Sequence, residues 1–388
     1  MSESDRTVIA VSDLHLSPGG NPRVPDELAA LIERSPHTEL VVAGDALDLS
    51  MLRSTEDSAR FVSDTLSASP RLTSALRGLV SGGGKLTIVA GNHDAPLMRS
   101  DVQRAFREGL ELPGEAPVAF EPWFIRRHGA HIEHGHAFDP DNAPAHPLAS
   151  WAPRSEPVGI ALTRRFLVPS GALSFKHAHQ TTPLGGLLDC FKRYGSKAPK
   201  IVGQYFWTAA QLCWEARSQT LLEEEKRVGR AQLAQFAAHH DLAVASLSQL
   251  VAGFPAPRHQ SPRELFFRLY FDRTLPTASL VVALPFALAG STIMAGVAAA
   301  SFAVLAASLA GGVSRYDGDP EARLLAGAEL VRKTTGANHV VLGHTHREEA
   351  HPGYTNLGSF AFSHKDAHSH VVLTPDGLVE RRVVGAAG

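Results

Sequence analysis

Five short motifs rich in metal-binding side chains occur in order along this chain of 388 residues. They are Asp13-Leu14-His15, Gly44-Asp45-Ala46-Leu47-Asp48, Gly91-Asn92-His93-Asp94, His134-Gly135-His136 and Gly343-His344-Thr345-His346. Their carboxylate, imidazole and amide groups are ligands for divalent cations. Two such ions held close together can generate a hydroxide nucleophile at neutral pH and neutralise phosphoryl oxygens. The motifs therefore predict the chemistry of a two-metal hydrolase.

Short apolar runs precede most of these motifs and must position them. Residues 7–11, 40–43, 86–90 and 339–342 are rich in β-branched side chains, which is typical of buried strands. The carboxyl ends of strands in an α/β sheet open onto a common crevice. We therefore expect the motifs to meet at one edge of the fold.

The carboxylate of Asp45 is the best candidate to bridge two ions, because the preceding Gly44 lets the chain turn sharply at the strand end. A single Asp at such a position more often caps the next helix, and the ordered set of motifs favours the ligand interpretation instead. A ligand set without thiolate favours Mn, Fe, Zn, Ni or Co over an iron–sulfur or structural zinc site. The neutral side chain of Asn92 in the third motif adds no negative charge, which would help an anionic phosphate approach.

The motif order resembles the calcineurin-like metallophosphoesterase superfamily, whose pattern is D-x-H, G-D-x-x-D, G-N-H-D, H-G-x and G-H-x-H. The segment Tyr354-Thr355-Asn356-Leu357-Gly358-Ser359 resembles the N-x-G-S strand that follows the last motif there. The resemblance covers residues 5 to about 140 and 316 to about 385. It implies an α/β fold, a four-layer α/β/β/α sandwich, and hydrolysis of a phosphomonoester or phosphodiester by a metal-bridging hydroxide.

The resemblance also implies roles for individual residues. One ion would be held with Asp45 by Asp13, His15 and His346, and the second with Asp45 by Asn92, His134 and His344. His131 and His136 flank His134, and the H-G-x pattern favours His134 as the ligand. His136 would line the substrate site. His93 would stay off the metals and assist the leaving oxygen, oriented by either Asp48 or Asp94. Among the possible ions Mn is favoured.

Other functions were weighed against this one. Some members of the superfamily are non-catalytic scaffolds, but here every expected ligand position is filled. The membrane-associated UDP-2,3-diacylglucosamine pyrophosphatases carry an Arg where this chain has His93, and H-G-D followed by C-T-D-D where it has residues 134–139. Protein phosphatases of the superfamily usually have Arg-Gly where Leu49-Ser50 follows Asp48. Scattered positive charges without regular aromatic residues disfavour a nucleic-acid enzyme.

Composition and charge indicate where the protein acts. Only Cys190 and Cys213 are present and the N-terminus is acidic without an apolar leader, so we expect a cytoplasmic protein without disulfides or a cleaved signal. Residues 141–315 contain 17 Lys and Arg against 10 Asp and Glu, a net charge of +7 within a chain of net charge -2. This excess predicts an anionic partner, such as a membrane surface or lipid.

The spacing of the motifs predicts a large insertion. We expect a metallophosphoesterase domain formed by residues 1–140 and 316–388, interrupted by a mostly helical insertion over 141–315. Apolar spacing predicts a long helix over about 204–252. A capping-box pattern at Ser261-Pro262-Arg263-Glu264 predicts the start of another.

An uncharged segment near the end of the insertion is the second informative feature. No charged residue occurs from Thr274 to Ser314, and residues 278–313 are almost wholly apolar or small. Since motifs on both sides must meet, the chain has to return to the same side of any bilayer, which fits two short helices turning near Gly290-Ser291. Alanines at 295, 299, 303 and 307 predict close helix packing. Membrane association and a soluble buried hairpin both remain open.

Overall fold

Two mixed β-sheets and the helices around them form an α/β chain in the computed structural model. The structure describes residues 5–113, 116–149, 155–175, 183–216, 220–311, 319–361 and 368–384. The strands are β1 (Val8–Val11), β2 (Glu39–Ala43), β3 (Lys85–Val89), β4 (Val118–Glu121), β5 (Phe124–Arg127), β6 (Ala130–Glu133), β7 (His339–Leu342), β8 (Glu348–His351), β9 (Tyr354–Leu357), β10 (His368–Leu373) and β11 (Val379–Val384). The four apolar runs that precede motifs are thus confirmed as strands β1, β2, β3 and β7.

Helices account for most of the remaining described chain. They are α1 (Arg23–Glu33), α2 (Ser58–Ser67), α3 (Pro70–Ser81), α4 (Ser100–Gly109), α5 (Val158–Leu162), α6 (Val168–Ser170), α7 (Pro183–Tyr194), α8 (Ala198–Glu215), α9 (Thr220–His239), α10 (Val244–Ala252), α11 (Pro262–Arg268), α12 (Phe271–Leu288), α13 (Thr292–Ala310) and α14 (Asp319–Thr335). A short π-helical turn, Thr163–Leu167, connects α5 to α6.

The strand orders bring the motif loops to two sheets. The first sheet runs β11-β10-β1-β2-β3-β4, with β1 to β4 parallel and β10 antiparallel to its neighbours. The second runs β5-β6-β7-β9-β8, with β6, β7 and β9 parallel. Three motifs follow β1, β2 and β3, and the other two follow β6 and β7. Each motif therefore lies at the carboxyl end of a parallel strand.

Alternating side chains of both sheets share one buried apolar cluster. Val8, Val41 and Val89 of the first sheet belong to the same cluster as Ile132 and Val341 of the second. Successive side chains of a strand point to opposite faces, so one face of each sheet contributes to this shared core. The core fixes the two sets of motif loops against each other.

The remaining faces of the sheets pack against separate groups of helices. Ile9, Val42 and Ile88 of the first sheet cluster with side chains of α1 to α4, such as Leu28 and Leu76. On the second sheet, the apolar side chains cluster with helices α9, α10 and α14. The sheet contributes Phe124, Val340, Leu342 and Tyr354 to this cluster, and the helices contribute Leu233, Phe236, Leu247, Leu250, Leu324 and Val331.

The chain divides into two compact units, and the first contains both sheets. It comprises residues 1–160, 220–257 and 320–388, and the second comprises 161–219 and 258–319. Residues 141–160 and 220–257, which the sequence places in the insertion, thus group with the sheets. In the second unit, Phe166, Leu167, Cys190 and Ile201 belong to a small apolar cluster of their own.

Of the two helix predictions made for the insertion, one is wrong and one is confirmed. The predicted long helix over 204–252 is wrong, because α9 ends at His239 and α10 begins at Val244, with Asp241 in a left-handed conformation (φ 52°) between them. The predicted start at Ser261 is confirmed, since its hydroxyl accepts a hydrogen bond from the Glu264 backbone N–H. Periodicity alone does not reveal a short turn between two helices of similar pattern.

Helices α12 and α13 form the predicted hairpin, with Gly290 in a left-handed conformation between them (φ 98°). Its inner contacts include a hydrogen bond from the Ser301 hydroxyl to that of Ser279 at 3.0 Å and one from Arg273 Nε to Ser308 Oγ at 3.0 Å. Prediction of a packing ridge at alanines 295, 299, 303 and 307 was wrong, because all four are exposed. The buried positions of α13 are Ala298 and Ser301.

The outward faces of this hairpin expose large apolar side chains. Leu288, Ile293 and Phe302 are 81%, 77% and 65% exposed. Among the described residues, one helix, Thr292–Ala310, is long and apolar enough to cross a membrane, and most of it is exposed. The interpretation of the hairpin as a buried soluble core was therefore wrong for these side chains.

Truncation of Phe236 should destabilise the first unit, because α9 packs on the second sheet through this ring. Phe236 stacks on Trp123 at 5.7 Å between ring centroids and contacts Phe124 edge to face at 5.0 Å. We expect Phe236→Ala to lower the free energy of unfolding in urea by about 3–5 kcal/mol. The exposed Val244→Ala in α10 should change it by no more than about 0.5 kcal/mol. Equal effects of the two changes would contradict this packing.

Candidate metal centre

The motif residues sit in tight turns that bend the backbone into the left-handed region. Asp13, His15, Asp45, His344 and His346 have φ values of 56°, 45°, 52°, 72° and 58°. Non-glycine residues adopt this region rarely, at a cost of about 1–2 kcal/mol each. Such strain concentrates at functional sites, where the surrounding structure enforces it.

Main-chain hydrogen bonds hold the first two motif loops together. The backbone N–H of His15 donates to the Asp45 carbonyl at 2.9 Å, and that of Asp13 donates to the Gly44 carbonyl at 3.2 Å. The loops after β1 and β2 are therefore hydrogen-bonded to each other along their backbones. Their carboxylates are fixed relative to each other by the backbone.

The first group of predicted ligands comes together around one point. The Nε2 atoms of His15 and His346 are 3.3 Å apart, and Asp13 Oδ1 lies 3.0 Å from His346 Nε2. Asp45 Oδ2 lies 3.7 Å from His15 Nε2. Distances of this size separate the ligand atoms around a single transition-metal ion, whose bonds are about 2.0–2.2 Å long. All four residues are buried or nearly so.

The second group of predicted ligands contacts the same oxygen of Asp45, Oδ2. His134 Nε2 lies 3.2 Å from Asp45 Oδ2 and 3.0 Å from Asn92 Oδ1. The other ring nitrogen of His134, Nδ1, lies 3.1 Å from the Ala43 carbonyl oxygen, so it is placed to donate its N–H there. A metal-binding histidine commonly donates its second N–H to a carbonyl in this way, which fixes its tautomer.

His344 lies beside His134, at 5.2 Å between ring centroids, and contacts a carboxylate that the sequence did not predict. Its Nε2 lies 3.0 Å from Asp139 Oδ2, and its backbone N–H donates to Asp13 Oδ2 at 3.1 Å. Asn142 donates from Nδ2 to Asp139 Oδ2 at 2.7 Å and accepts from Asn92 Nδ2 at 3.2 Å. Nδ1 of His344 is thus the ring nitrogen left to bind a metal. The position of Asp139, shortly after the fourth motif, was the available signal.

His93 sits beside the centre with its ring held from one side. Its Nδ1 lies 2.8 Å from Ser50 Oγ and 3.2 Å from Asp48 Oδ1, while the Ser50 hydroxyl donates to that Asp48 oxygen at 2.6 Å. The His93 backbone N–H donates to Asp45 Oδ1 at 2.8 Å. Sequence reasoning predicted Asp48 or Asp94 as the orienting carboxylate, and Asp48 is the one in contact. Ser50 was not predicted.

Asp94 organises backbone instead. Its Oδ2 accepts from the Ala46 N–H at 2.6 Å, and its Oδ1 accepts from the Gly91 N–H at 2.7 Å. Burial and the negative charge of Asp45 raise the pKa of Asp94 to about 7. Its contacts tie the second motif loop to the third.

The predicted substrate residue His136 lies next to the ligand histidines. Its ring centroid is 5.4 Å from that of His134 and 6.5 Å from that of His344. Burial, together with repulsion from His134 and His344, lowers its pKa well below the ordinary value. His136 is therefore neutral at physiological pH and able to donate or accept a hydrogen bond.

Two carboxylates buried side by side dominate the electrostatics. Burial opposes their charge, yet the imidazoles of His134, His93 and His15 hold the pKa of Asp45 well below its usual value. Burial likewise opposes protonation of His134, and Asp45 and Asp13 nevertheless raise its pKa to about 10. Within the described chain, Asp13 Oδ1 and Asp45 Oδ2 are buried without an aligned hydrogen-bond donor. Divalent cations would satisfy these oxygens, so the residues fit the predicted metals.

Comparison with known proteins adds no family assignment. A scan against models of protein families finds no match, and a search of curated proteins finds no significant match. The geometry of the centre is therefore the basis for its interpretation.

Adding a single methyl group at Gly91 should displace the Asp45 carboxylate. A Cβ there would lie 2.1 Å from Asp45 Oδ1 and 2.4 Å from the Asp45 backbone nitrogen, closer than atoms can pack. We expect Gly91→Ala to lose about 10-fold or more in affinity for divalent ions, comparable to removing a contact that orients a ligand. Isothermal titration of metal-stripped protein measures this.

Gly78→Ala is the matched control, because its Cβ would meet no atom within 4 Å on helix α3. It should bind metal like the unmodified protein. Unchanged metal affinity in Gly91→Ala would contradict the close approach of this loop to Asp45.

Proposed function

We propose that this protein is a calcineurin-like metallophosphoesterase that hydrolyses a phosphomonoester or phosphodiester with two divalent metal ions. One observation carries the proposal: the His15, His346 and Asp13 group and the His134 and Asn92 group converge on the single carboxylate of Asp45. Such a shared carboxylate is what a two-metal site requires.

The packing of the sheets supports the four-layer α/β/β/α sandwich that the superfamily would have. One apolar cluster joins the two sheets, a second joins the first sheet to α1 to α4, and a third joins the second sheet to α9, α10 and α14. In this arrangement the metal centre lies where the carboxyl ends of β1, β2, β3, β6 and β7 meet.

In this proposal the two ions would occupy two sites. Asp13, His15, His346 and Asp45 would hold the first, and Asp45, Asn92, His134 and the Nδ1 atom of His344 would hold the second. Asp139 would position His344 through their 3.0 Å contact. Two bound ions would supply a hydroxide nucleophile and charge neutralisation at phosphorus. Mn, Fe, Zn, Ni and Co all suit this set, and Mn is our first choice.

His93 supplies the proton for the leaving oxygen in this proposal. Asp48 and Ser50 occupy Nδ1, so Nε2 remains as the atom that holds and transfers the proton. Burial lowers the pKa of His93 more than Asp45 and Asp94 raise it. Only the imidazolium form of His93 carries a proton on Nε2, and the lowered pKa makes that form a stronger acid towards a leaving alkoxide while it reduces the fraction of protein that carries the proton at neutral pH. His136 lines the substrate side of the second site.

Hydrolysis of p-nitrophenyl phosphate and bis-p-nitrophenyl phosphate tests the proposal. Metal-stripped protein receives Mn, Fe, Zn, Ni or Co in turn, and the preferred ester distinguishes monoesterase from diesterase activity. Asp45→Asn should reduce kcat by about 10³-fold or more, because a neutral amide cannot bridge two ions. Asp64→Asn, which removes an exposed carboxylate on α2, should retain full activity.

Two results would count against this function. Equal activity of Asp45→Asn and the unmodified protein would place hydrolysis elsewhere. Absence of turnover on both esters with every metal, in folded protein that takes up metal, would favour a non-catalytic scaffold.

We further propose that the protein is cytoplasmic and attaches to an anionic membrane surface through the α12–α13 hairpin. The exposure of Leu288, Ile293 and Phe302 supports this, since soluble proteins rarely expose so many large apolar side chains together. The net charge of +7 over residues 141–315 fits an anionic lipid surface. A membrane position makes a lipid-linked phosphoester, such as a nucleotide lipid, the second candidate substrate. Nucleic acid is not proposed as a partner.

Acidic substitutions at the turn of the hairpin should weaken this attachment. We expect the unmodified protein to float with vesicles of phosphatidylcholine and phosphatidylglycerol. The double change Leu288→Glu and Ile293→Glu should weaken binding at least about 10-fold, because each charge would have to enter the apolar layer. Leu378→Glu, at an equally apolar but distant position that is 56% exposed, is the control. Flotation of the double variant would contradict insertion of this turn.

A further inference from the structure

A second group of metal-binding side chains lies at the edge of the first sheet, outside the motifs. Glu121 is the last residue of the edge strand β4, His239 is the last residue of α9, and His240 follows it. All three belong to the first compact unit. From the sequence alone, His239 and His240 are expected to be solvated or core residues and not metal ligands.

The three side chains approach one another as ligands of a single ion do. His239 Nε2 lies 3.7 Å from Glu121 Oε1, and His240 Nε2 lies 3.9 Å from Glu121 Oε2. One ligand atom from each residue falls within 4.8 Å of the others. Zinc bonds of about 2.0–2.2 Å place tetrahedral ligand atoms roughly 3.3–3.5 Å apart, so small side-chain shifts complete the coordination.

His240 is the anchor of the group. Its side chain is 6% exposed, and within the described structure its Nε2 has no hydrogen-bond partner. The ring is fixed between Phe236 and Phe124, at centroid distances of 4.4 and 4.9 Å. A buried ring nitrogen without a partner is costly, whereas a bound cation would satisfy it. Burial, with repulsion from His239 and His131, lowers its pKa to about 3, which keeps the ring in the neutral form that binds metals.

Glu121 and His239 complete the group from the solvent side. Burial raises the pKa of Glu121, although His239, Arg127 and Lys85 act in the opposite direction. His239 is 66% exposed, so an ion can enter without rearrangement of the core. The nearby Arg127 is engaged with Glu39 through two hydrogen bonds of 2.7 and 2.9 Å, which limits its repulsion of a cation.

The geometry points to a mononuclear Zn²⁺ site formed by Glu121, His239 and His240, separate from the Asp45 centre. Two imidazoles and one carboxylate are a common zinc ligand set, with a fourth position open to water. The ion would fasten the end of α9 to the edge strand β4 of the first sheet. Bound zinc would therefore stabilise the packing of this helix, since metal binding to the folded state is linked to folding.

Zinc content after equilibrium dialysis tests the site. We expect the unmodified protein to retain about one equivalent of zinc more than His239→Ala or Glu121→Gln. His351→Ala, which removes an exposed histidine on β8, should retain as much zinc as the unmodified protein. Added zinc should also raise the melting temperature of His351→Ala more than that of His239→Ala. His239→Ala should fold, because this side chain is largely exposed.

The Asp45→Asn background separates this site from the proposed phosphoesterase centre. In that background the protein should still retain the one equivalent of zinc that is lost in His239→Ala, even if Asp45→Asn removes the ions bound at the motifs. Equal zinc content in Asp45→Asn with and without His239→Ala would overturn the inference and leave the phosphoesterase proposal unaffected. If Asp45→Asn alone removed the equivalent of zinc that depends on His239, the inference would also be overturned, because the two sites would then not be separate.

Discussion

The buried carboxylates of Asp13 and Asp45 are the constraint on which the centre depends. Two negative charges removed from water are strongly destabilising unless cations or hydrogen bonds compensate them. Here the Ser12 hydroxyl and the His93 backbone N–H donate to one oxygen of each carboxylate, and the other oxygens face the imidazole nitrogens of His346 and His134 at 3.0 and 3.2 Å. Histidine protons can compensate the charge in part, and divalent ions can do so fully. The same arrangement that makes the folded state costly without cations is what would bind and activate a phosphoester.

The rest of the fold keeps these charges in place. Strained left-handed turns aim the side chains, and the shared core between the sheets holds the loops of one sheet against those of the other. The motif loops can approach the buried carboxylates closely because glycine occupies positions where any other side chain would collide with them. A Cβ on Gly343, for example, would lie 2.6 Å from Asp13 Oδ2. Packing of α9, α10 and α14 on the outer face of the second sheet stabilises the strands that carry His134 and His344.

The convergence of the motif loops could be predicted from the sequence, because most of these loops follow short β-branched runs that form neighbouring strands. Contacts made between distant segments could not. Asp139 and Ser50 stand close to motifs in the sequence, but their contacts with His344 and His93 join residues far apart along the chain, which the local sequence does not predict. The prediction of a packing ridge of alanines on α13 was wrong for a similar reason. Small residues show that a helix can pack closely, but they do not show which of its faces makes the contact. The break at Asp241 fell within a continuous helical period.

A crystal structure of the Mn²⁺-loaded protein, with anomalous differences measured at the manganese edge, tests the central claim most directly. The account predicts two anomalous peaks about 4 Å apart with Asp45 coordinated to both. His15 and His346 should bind one ion, and His134, His344 and Asn92 the other. A single peak, or two peaks that do not share Asp45, would contradict the two-metal centre.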